Sequence, residues 1–328
     1  MGDQPSKPGD YVNREDVKVK NGQDGYEIQC RVWKPKGRIR ATALFIHGGK
    51  FSTGDRNSHS LVTESLAAQT GIAIITADFR DGSATTYASG KSIRDLMAIA
   101  EYMKKRFYNE PFGIVGSSSG GFFALSLCNE MELGAIKYCI LLCPVAHPHA
   151  RAVYLNHCIQ GTTPLASGKD LYHIRLPPEK AQEVLTNQLQ FFGTYKEMAM
   201  ASEEVSVNVN KVPTLLILGS DDANVPSQVT QRLVDSWASR TIIIGGAGHE
   251  IQNAPPSDLS QSYLPDVERF LHQLFKDEPY EPLWKSKNDS YHWKVLVFAR
   301  WIRRRNSITN FYVYYTVLFV LLSITRYR

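Results

Sequence analysis

Short runs of continuous apolar residues recur along the chain: ATALFI at 41–46, GIAIITA at 71–77, YCILLC at 138–143, PTLLIL at 213–218 and TIII at 241–244. A strand buried on both faces shows no polar–apolar alternation, so such runs belong to the inner strands of a sheet covered on both sides. GYEIQCRVW at 25–33 and FGIV at 112–115 read as further strands, and helical patterning fits 58–69, 91–107, 119–131, 227–238 and 257–275. Parallel strands need long crossovers, and alternating strands and helices supply them. The class is therefore α/β, a mainly parallel sheet with helices on both faces. The rhythm breaks over 147–210, a long aromatic stretch without strand signals. It reads as a helical cap inserted between two strands, a common place for a substrate lid.

With 328 residues, 43% of them hydrophobic, the chain can bury a substantial core. Its net charge of +5 is unevenly distributed: residues 285–328 hold nine Lys/Arg and one Asp, which leaves a net −3 for the remaining 284. An acidic body has no electrostatic footprint for nucleic acid. The N-terminus lacks the apolar h-region of a secretory signal. Met1–Ser6 fits the loose M-G-x-x-x-S myristoylation pattern, though Asp3 is a poor neighbour for it. The five cysteines, Cys30, Cys128, Cys139, Cys143 and Cys158, are odd in number and lie mostly in apolar runs, which suits reduced core thiols. No Cys/His spacing resembles a zinc site, and His147-Pro148-His149 reads as a loop. Neither a metal nor an organic cofactor is expected.

Between the strand at 112–115 and the helix beginning near 119 the sequence is GSSSG, in which only Ser118 has a glycine two residues away on each side, Gly116 and Gly120. The G-x-S-x-G pattern between strand and helix describes a sharp turn that presents a serine. A serine hydroxyl is a poor nucleophile at neutral pH and needs a base, and the base needs an orienting group. GSDDANVP at 219–226 puts Asp221 and Asp222 just beyond one strand, and GGAGHEI at 245–251 puts His249 beyond the next. The strand 41–46 runs directly into HGGKF at 47–51, whose glycines would expose backbone N–H groups to a developing oxyanion. Each piece taken alone also fits an ordinary turn. Together, they occur in the order that one site at the carboxyl ends of adjacent strands requires.

These residues resemble the α/β-hydrolase superfamily, and within it the esterases carrying H-G-G-x-W/F, both hormone-sensitive-lipase-type and kynurenine-formamidase-like. The resemblance covers about residues 25–276: HGGKFSTG stands for the oxyanion segment, ADFR ending at Arg80 for the Y-R motif, SIRDLMAIAEYM with Asp95 for the next helix, and FFGTYKEMAMAS for the segment before the acid-bearing strand. Lys50 replaces the third glycine of H-G-G-G, and Asp81-Gly82-Ser83 replaces the usual APE. The resemblance implies Ser118 as nucleophile, His249 as base and Asp222 as the orienting acid, because Gly219, Asp222, Val225 and Pro226 match G-x-x-D-x-x-V-P. It implies an oxyanion hole of Gly48, Gly49 and Ser119, with His47 shaping that loop. The implied reaction is hydrolysis of a small or medium apolar carboxylic ester. The alternatives are an arylformamide or other amide-like substrate, and a non-catalytic ligand-binding protein on the same fold.

Residues 1–284 are expected to form the hydrolase-like domain, and 285–328 a basic, aromatic tail. Asn306–Thr325 is a run of 20 uncharged residues flanked by Arg303, Arg304 and Arg305 and by Arg326 and Arg328. As a helix it would span roughly 30 Å, a bilayer core. The expectation is membrane contact, with Arg303–Arg305 keeping the body on the cytosolic side of an intracellular membrane such as the endoplasmic reticulum. The alternative is a cytoplasmic protein whose tail docks on the domain.

Overall fold

The computed structural model describes residues 8–49, 51, 53–80, 85–162, 165–166, 169–170, 174–206, 212–230, 240–252 and 262–277. Ten strands are assigned among them: β1 (Val12–Lys20), β2 (Glu27–Pro35), β3 (Ala41–Ile46), β4 (Ile72–Ala77), β5 (Phe112–Ser117), β6 (Tyr138–Leu142), β7 (Leu165–Ala166), β8 (Lys169–Asp170), β9 (Thr214–Gly219) and β10 (Arg240–Ile244). Eight of them form one sheet in the order β1-β2-β4-β3-β5-β6-β9-β10. From β4 to β10 every pairing is parallel, while β1–β2 and β2–β4 are antiparallel.

The inner strands β3, β4, β5, β6 and β9 are buried along their whole length. Period-two geometry then sends alternate side chains into two separate cores. On β3, Leu44 and Ile46 enter one core while Ala41, Ala43 and Phe45 enter the other. The helices α2 (Lys91–Arg106) and α3 (Ser119–Glu130) cover the first face. The opposite face is covered by α1 (Ser60–Thr70) and α7 (Leu264–Phe275). The helix expected over 257–275 begins, where it is described, at Leu264, and of the one expected over 227–238 only Ser227–Thr230 is described.

Strand β1 was not anticipated, because VNREDVKVK is mostly charged and carries no strand signal of its own. It is an edge strand, where charge guards an open ladder. Its register is held by cross-strand pairs, Asp16 with Arg31 at 2.7 Å and Glu27 with Lys18 at 3.1 Å. Between β6 and β9 lies the expected insertion: α4 (Pro148–Gln160), the β7–β8 hairpin, α5 (Pro178–Phe192) and α6 (Tyr195–Ser206). His147-Pro148-His149 is not a loop. Pro148 opens α4, as its fixed φ allows, and His147 caps it by accepting the Ala150 N–H on Nδ1 at 3.0 Å.

Two contacts give the motif residues structural work. Arg80 forks onto Asp95, Nη2 to Oδ1 at 2.6 Å, reaches Asp24 at 2.7 Å and lies over the Tyr26 ring, tying the β1–β2 turn to α2. Phe51 is fully buried at φ 72° and stacks on Phe191 of α5, with centroids 5.1 Å apart, while Phe122 and Phe123 of α3 meet its edges. One ring thus joins the HGGKF loop, the helix after Ser118 and the cap. Among the described residues no helix is long and apolar enough to cross a membrane; Asn306–Thr325 lies outside them. Truncating a buried phenylalanine typically costs about 3–5 kcal/mol. Phe51→Ala should therefore lower the stability of the full chain by that order, read as a reduced urea midpoint.

Candidate active site

The chain leaves β3 to form β4 on one side and returns to form β5 on the other, so the strand order reverses between β3 and β5. A crevice opens at the carboxyl ends of such neighbours. HGGKF follows β3 there, and Ser118 follows β5. Ser118 takes φ 50° and ψ −119°, backbone that costs an L residue of order 1–3 kcal/mol. Three hydrogen bonds hold it: its N–H donates to Leu142 O at 3.0 Å, and its carbonyl accepts from Gly121 N at 2.9 Å and Val145 N at 2.7 Å. The flanking glycines are steric necessities, since a Cβ on Gly120 would lie 2.0 Å from Ile46 O and one on Gly116 2.7 Å from the Ala124 methyl.

Asp222 lies in the turn after β9 and His249 in the loop after β10. These turns are stitched together: Ser220 N donates to Ile244 O at 3.0 Å, Asp221 N to Ala247 O at 2.9 Å, and Gly246 N to Ser220 Oγ at 2.8 Å. Asp222 is buried, and its Oδ1 accepts from Asn224 N and Val225 N, both at 2.8 Å. Its Oδ2 lies 2.7 Å from His249 Nδ1, and His249 Nε2 lies 3.0 Å from Ser118 Oγ. A buried carboxylate, an imidazole and a hydroxyl thus form one continuous hydrogen-bonded line. Asp221 is exposed, and its Oδ1 accepts from Ser220 Oγ, away from His249.

On the other side of Ser118 the expected anion-binding loop differs in one donor. Gly48 N–H donates to Nε2 of His59, 3.2 Å away, so it is engaged within the loop. Gly49 lines the cavity, and Ser119, first residue of α3, carries a helix-start N–H with no intrahelical acceptor. His47 Nδ1–H donates to Gly48 O at 2.7 Å and shapes the loop. His59 belongs to no motif; it stands just before α1, accepts the Gly48 N–H and lines the cavity.

These groups border a cavity of about 340 Å³ that also takes in Thr53, Ser58, Arg151, Lys180, Val184 and Asn224. Arg151 comes from α4 and Lys180 and Val184 from α5, so the cap closes over Ser118. Sequence patterning did not single out these cap residues, since a cap residue's side of the helix depends on how the cap docks. Cys143 joins Asp222 and His249 as the one group of three potential metal donors among the described residues. Two of the three already bond each other, and burial raises the Cys143 thiol pKa well above its ordinary value, so it stays protonated. That donor set does not suit a cation. All five cysteines are free thiols.

A family described as having the alpha/beta hydrolase fold matches residues 43–203. The chain has the α/β-hydrolase fold. Solved structures similar to it include carboxyl esterase 2 from the mycorrhizal fungus Tuber melanosporum, at 15% identity and TM-score 0.59, covering 83% of this chain and 88% of that one. An esterase from the archaeon Pyrobaculum calidifontis aligns at 17% identity and TM-score 0.56, over 80% and 83%. At such identities the likeness is one of fold. An acetyl esterase from Salmonella typhi is 27% identical over 105 residues, 30% of this chain; the chain spans about a third (32%) of that relative's length.

Burial holds both His47 and His59 below the ordinary histidine pKa of 6.5. Each resists protonation more in the folded chain than in the unfolded one, so their contribution to stability is complete above pH 6.5 and is lost as the pH falls below it. Thermal unfolding should show Tm dropping as the pH falls below about 6.5, and His59→Gln should flatten part of that slope. An unchanged slope would assign the loss to other groups.

Proposed function

We propose that the chain is a serine hydrolase that cleaves a carboxylic ester through an acyl-enzyme. The observation that carries this reading is the line Ser118 Oγ–His249 Nε2, His249 Nδ1–Asp222 Oδ2, with links of 3.0 and 2.7 Å, at the floor of the cavity. Ser118 Oγ attacks the carbonyl carbon as its proton passes to His249 Nε2. Asp222 holds the tautomer with hydrogen on Nδ1 and stabilises the imidazolium. Collapse of the tetrahedral intermediate sends the Nε2 proton to the leaving alcohol, and water then repeats the sequence on the acyl-serine. The oxyanion is received by the N–H groups of Gly49 and Ser119, each donor worth roughly 3–4 kcal/mol. Gly48, whose N–H is held by His59, supports the loop instead. The names of the similar proteins, acetyl esterase and carboxyl esterase, support an ester over the arylformamide alternative. A non-catalytic ligand-binding role is the weaker reading, because an idle site would not need a serine held at φ 50°.

A fluorophosphonate should label Ser118, and Ser118→Ala should abolish labelling and lower kcat by about 10⁶-fold. Asp222→Asn should cost roughly 10⁴-fold in kcat, as loss of a tautomer-fixing carboxylate does. Asp221→Asn should stay close to wild type. Wild-type turnover in the Ser118 variant would reject the reading, and the reverse aspartate ranking would move the orienting role to Asp221.

We further propose that the tail tethers the domain to a membrane, supported by the uncharged run Asn306–Thr325 between arginine clusters. Burial of apolar side chains does not depend on ionic screening. The full chain should therefore stay with membranes in high salt, whereas a chain ending at residue 284 should be released and still turn over small esters. Release of the full chain by salt alone would reduce the tail to a surface contact.

A further inference from the structure

Arg151 is buried in α4 beside the site, and every acceptor it meets is neutral: Nε donates to Asn224 O at 3.1 Å, Nη1 to Gln188 Oε1 at 3.3 Å, and Nη2 to Asn224 Oδ1. Among the described residues no carboxylate pairs with it. Asp222 attracts it from nearby, but Oδ1 of Asp222 is engaged by two backbone N–H groups and Oδ2 by His249. A guanidinium has five N–H donors, so two remain after these three bonds. Gln188 cannot turn away, since its Nε2 is fixed on Pro148 O at 2.6 Å and its Oε1 therefore faces the arginine. Burial lowers the Arg151 pKa to about 10, which still leaves it cationic at neutral pH. A buried cation without a paired anion is costly to maintain, and a forked donor matches a carboxylate.

The rest of the cavity agrees in sign. Lys180 also lines it, although its Nζ pairs with Glu183 at 2.7 Å. No acidic side chain lines it among the described residues, and Val184 is its one apolar side chain there. An apolar ester, the expectation from sequence, would desolvate the guanidinium and return no acceptor to it. We propose that the substrate is an ester bearing a carboxylate, and that Arg151 binds this carboxylate while Ser118 attacks the ester carbonyl. The proposal rests on the serine-esterase reading and adds the charge of the substrate to it.

Arg151 also ties the cap to the turn that carries Asp222, so the test must separate binding from bracing. The full chain is assayed on mono-para-nitrophenyl glutarate and on para-nitrophenyl pentanoate, which match in chain length and differ by the terminal carboxylate. Wild type should favour the glutarate ester in kcat/KM by about tenfold or more. Arg151→Gln should lower the glutarate-to-pentanoate ratio of kcat/KM by roughly 10- to 100-fold, whatever common loss the cap imposes on both esters, and Arg151→Lys should recover part of that ratio. A brace alone would lower both esters equally, and that result, or a wild type preferring pentanoate, overturns the proposal. Should Arg151→Gln fail to fold, the wild-type preference is joined by inhibition: glutarate, but not neutral glutaramide, should compete with pentanoate turnover, and equal inhibition or none overturns it. Failure of the esterase reading itself looks different, with neither ester turned over and no fluorophosphonate label on Ser118, and it would remove this proposal too.

Discussion

The close approach of the Ser118 turn to the end of β3 is the constraint on which the rest of the site depends. Gly120 passes so near Ile46 O that even a methyl group would collide, and this proximity leaves the serine no ordinary backbone conformation. The strain is borne because the sheet over-determines it: β6 accepts the serine's N–H at Leu142, and the chain beyond β6 donates back to its carbonyl from Val145. Parallel pairing of β3, β5 and β6 supplies both neighbours at once. A loop on the surface could not hold such a geometry, because nothing would resist its relaxation.

From that fixed point the remaining groups are placed by short, local ties. The turn after β9 and the loop after β10 share three hydrogen bonds, so Asp222 and His249 move as one piece relative to the strands. The HGGKF loop is pinned from the other side by Phe51, whose ring is shared with α3 and α5. The aromatic cluster therefore couples the loop, α3 and the cap in a single packed unit. Packed interiors transmit displacement, so a cap that shifts would move the loop as well.

The cap also decides the chemistry of the cavity. The sheet contributes serine, histidine and glycine, groups common to acyl transfer of many kinds. The walls that could distinguish substrates come from α4 and α5, with Arg151 and Lys180 facing the space above Ser118. Groups common to acyl transfer and the cationic side chains of the cavity thus lie in separate layers of the fold, the first at the strand ends and the second in the insertion.

How much could be read beforehand follows from what each signal depends on. The inner strands were legible because burial on both faces forces an apolar run, and the turns holding Ser118, the Asp221–Asp222 pair and His249 because each closes a strand; the choice of Asp222 within its pair came from the family resemblance alone. That β6 stands between the serine strand and the acid strand was not legible, since strand order is a property of pairing between distant segments. Neither was β1, whose charged sequence becomes a strand only because β2 offers it a ladder. His59 and Arg151 lay hidden for the same reason: a lone histidine before a helix or a lone arginine within one means nothing until packing decides which cavity it borders. By itself the sequence determined the parallel sheet and the order of its catalytic-type residues, through local burial and turn chemistry. Only the tertiary structure decided that Gly48 turns its N–H onto His59 and that the cap lays a buried cation beside the serine, because both depend on contacts between segments that no local pattern relates.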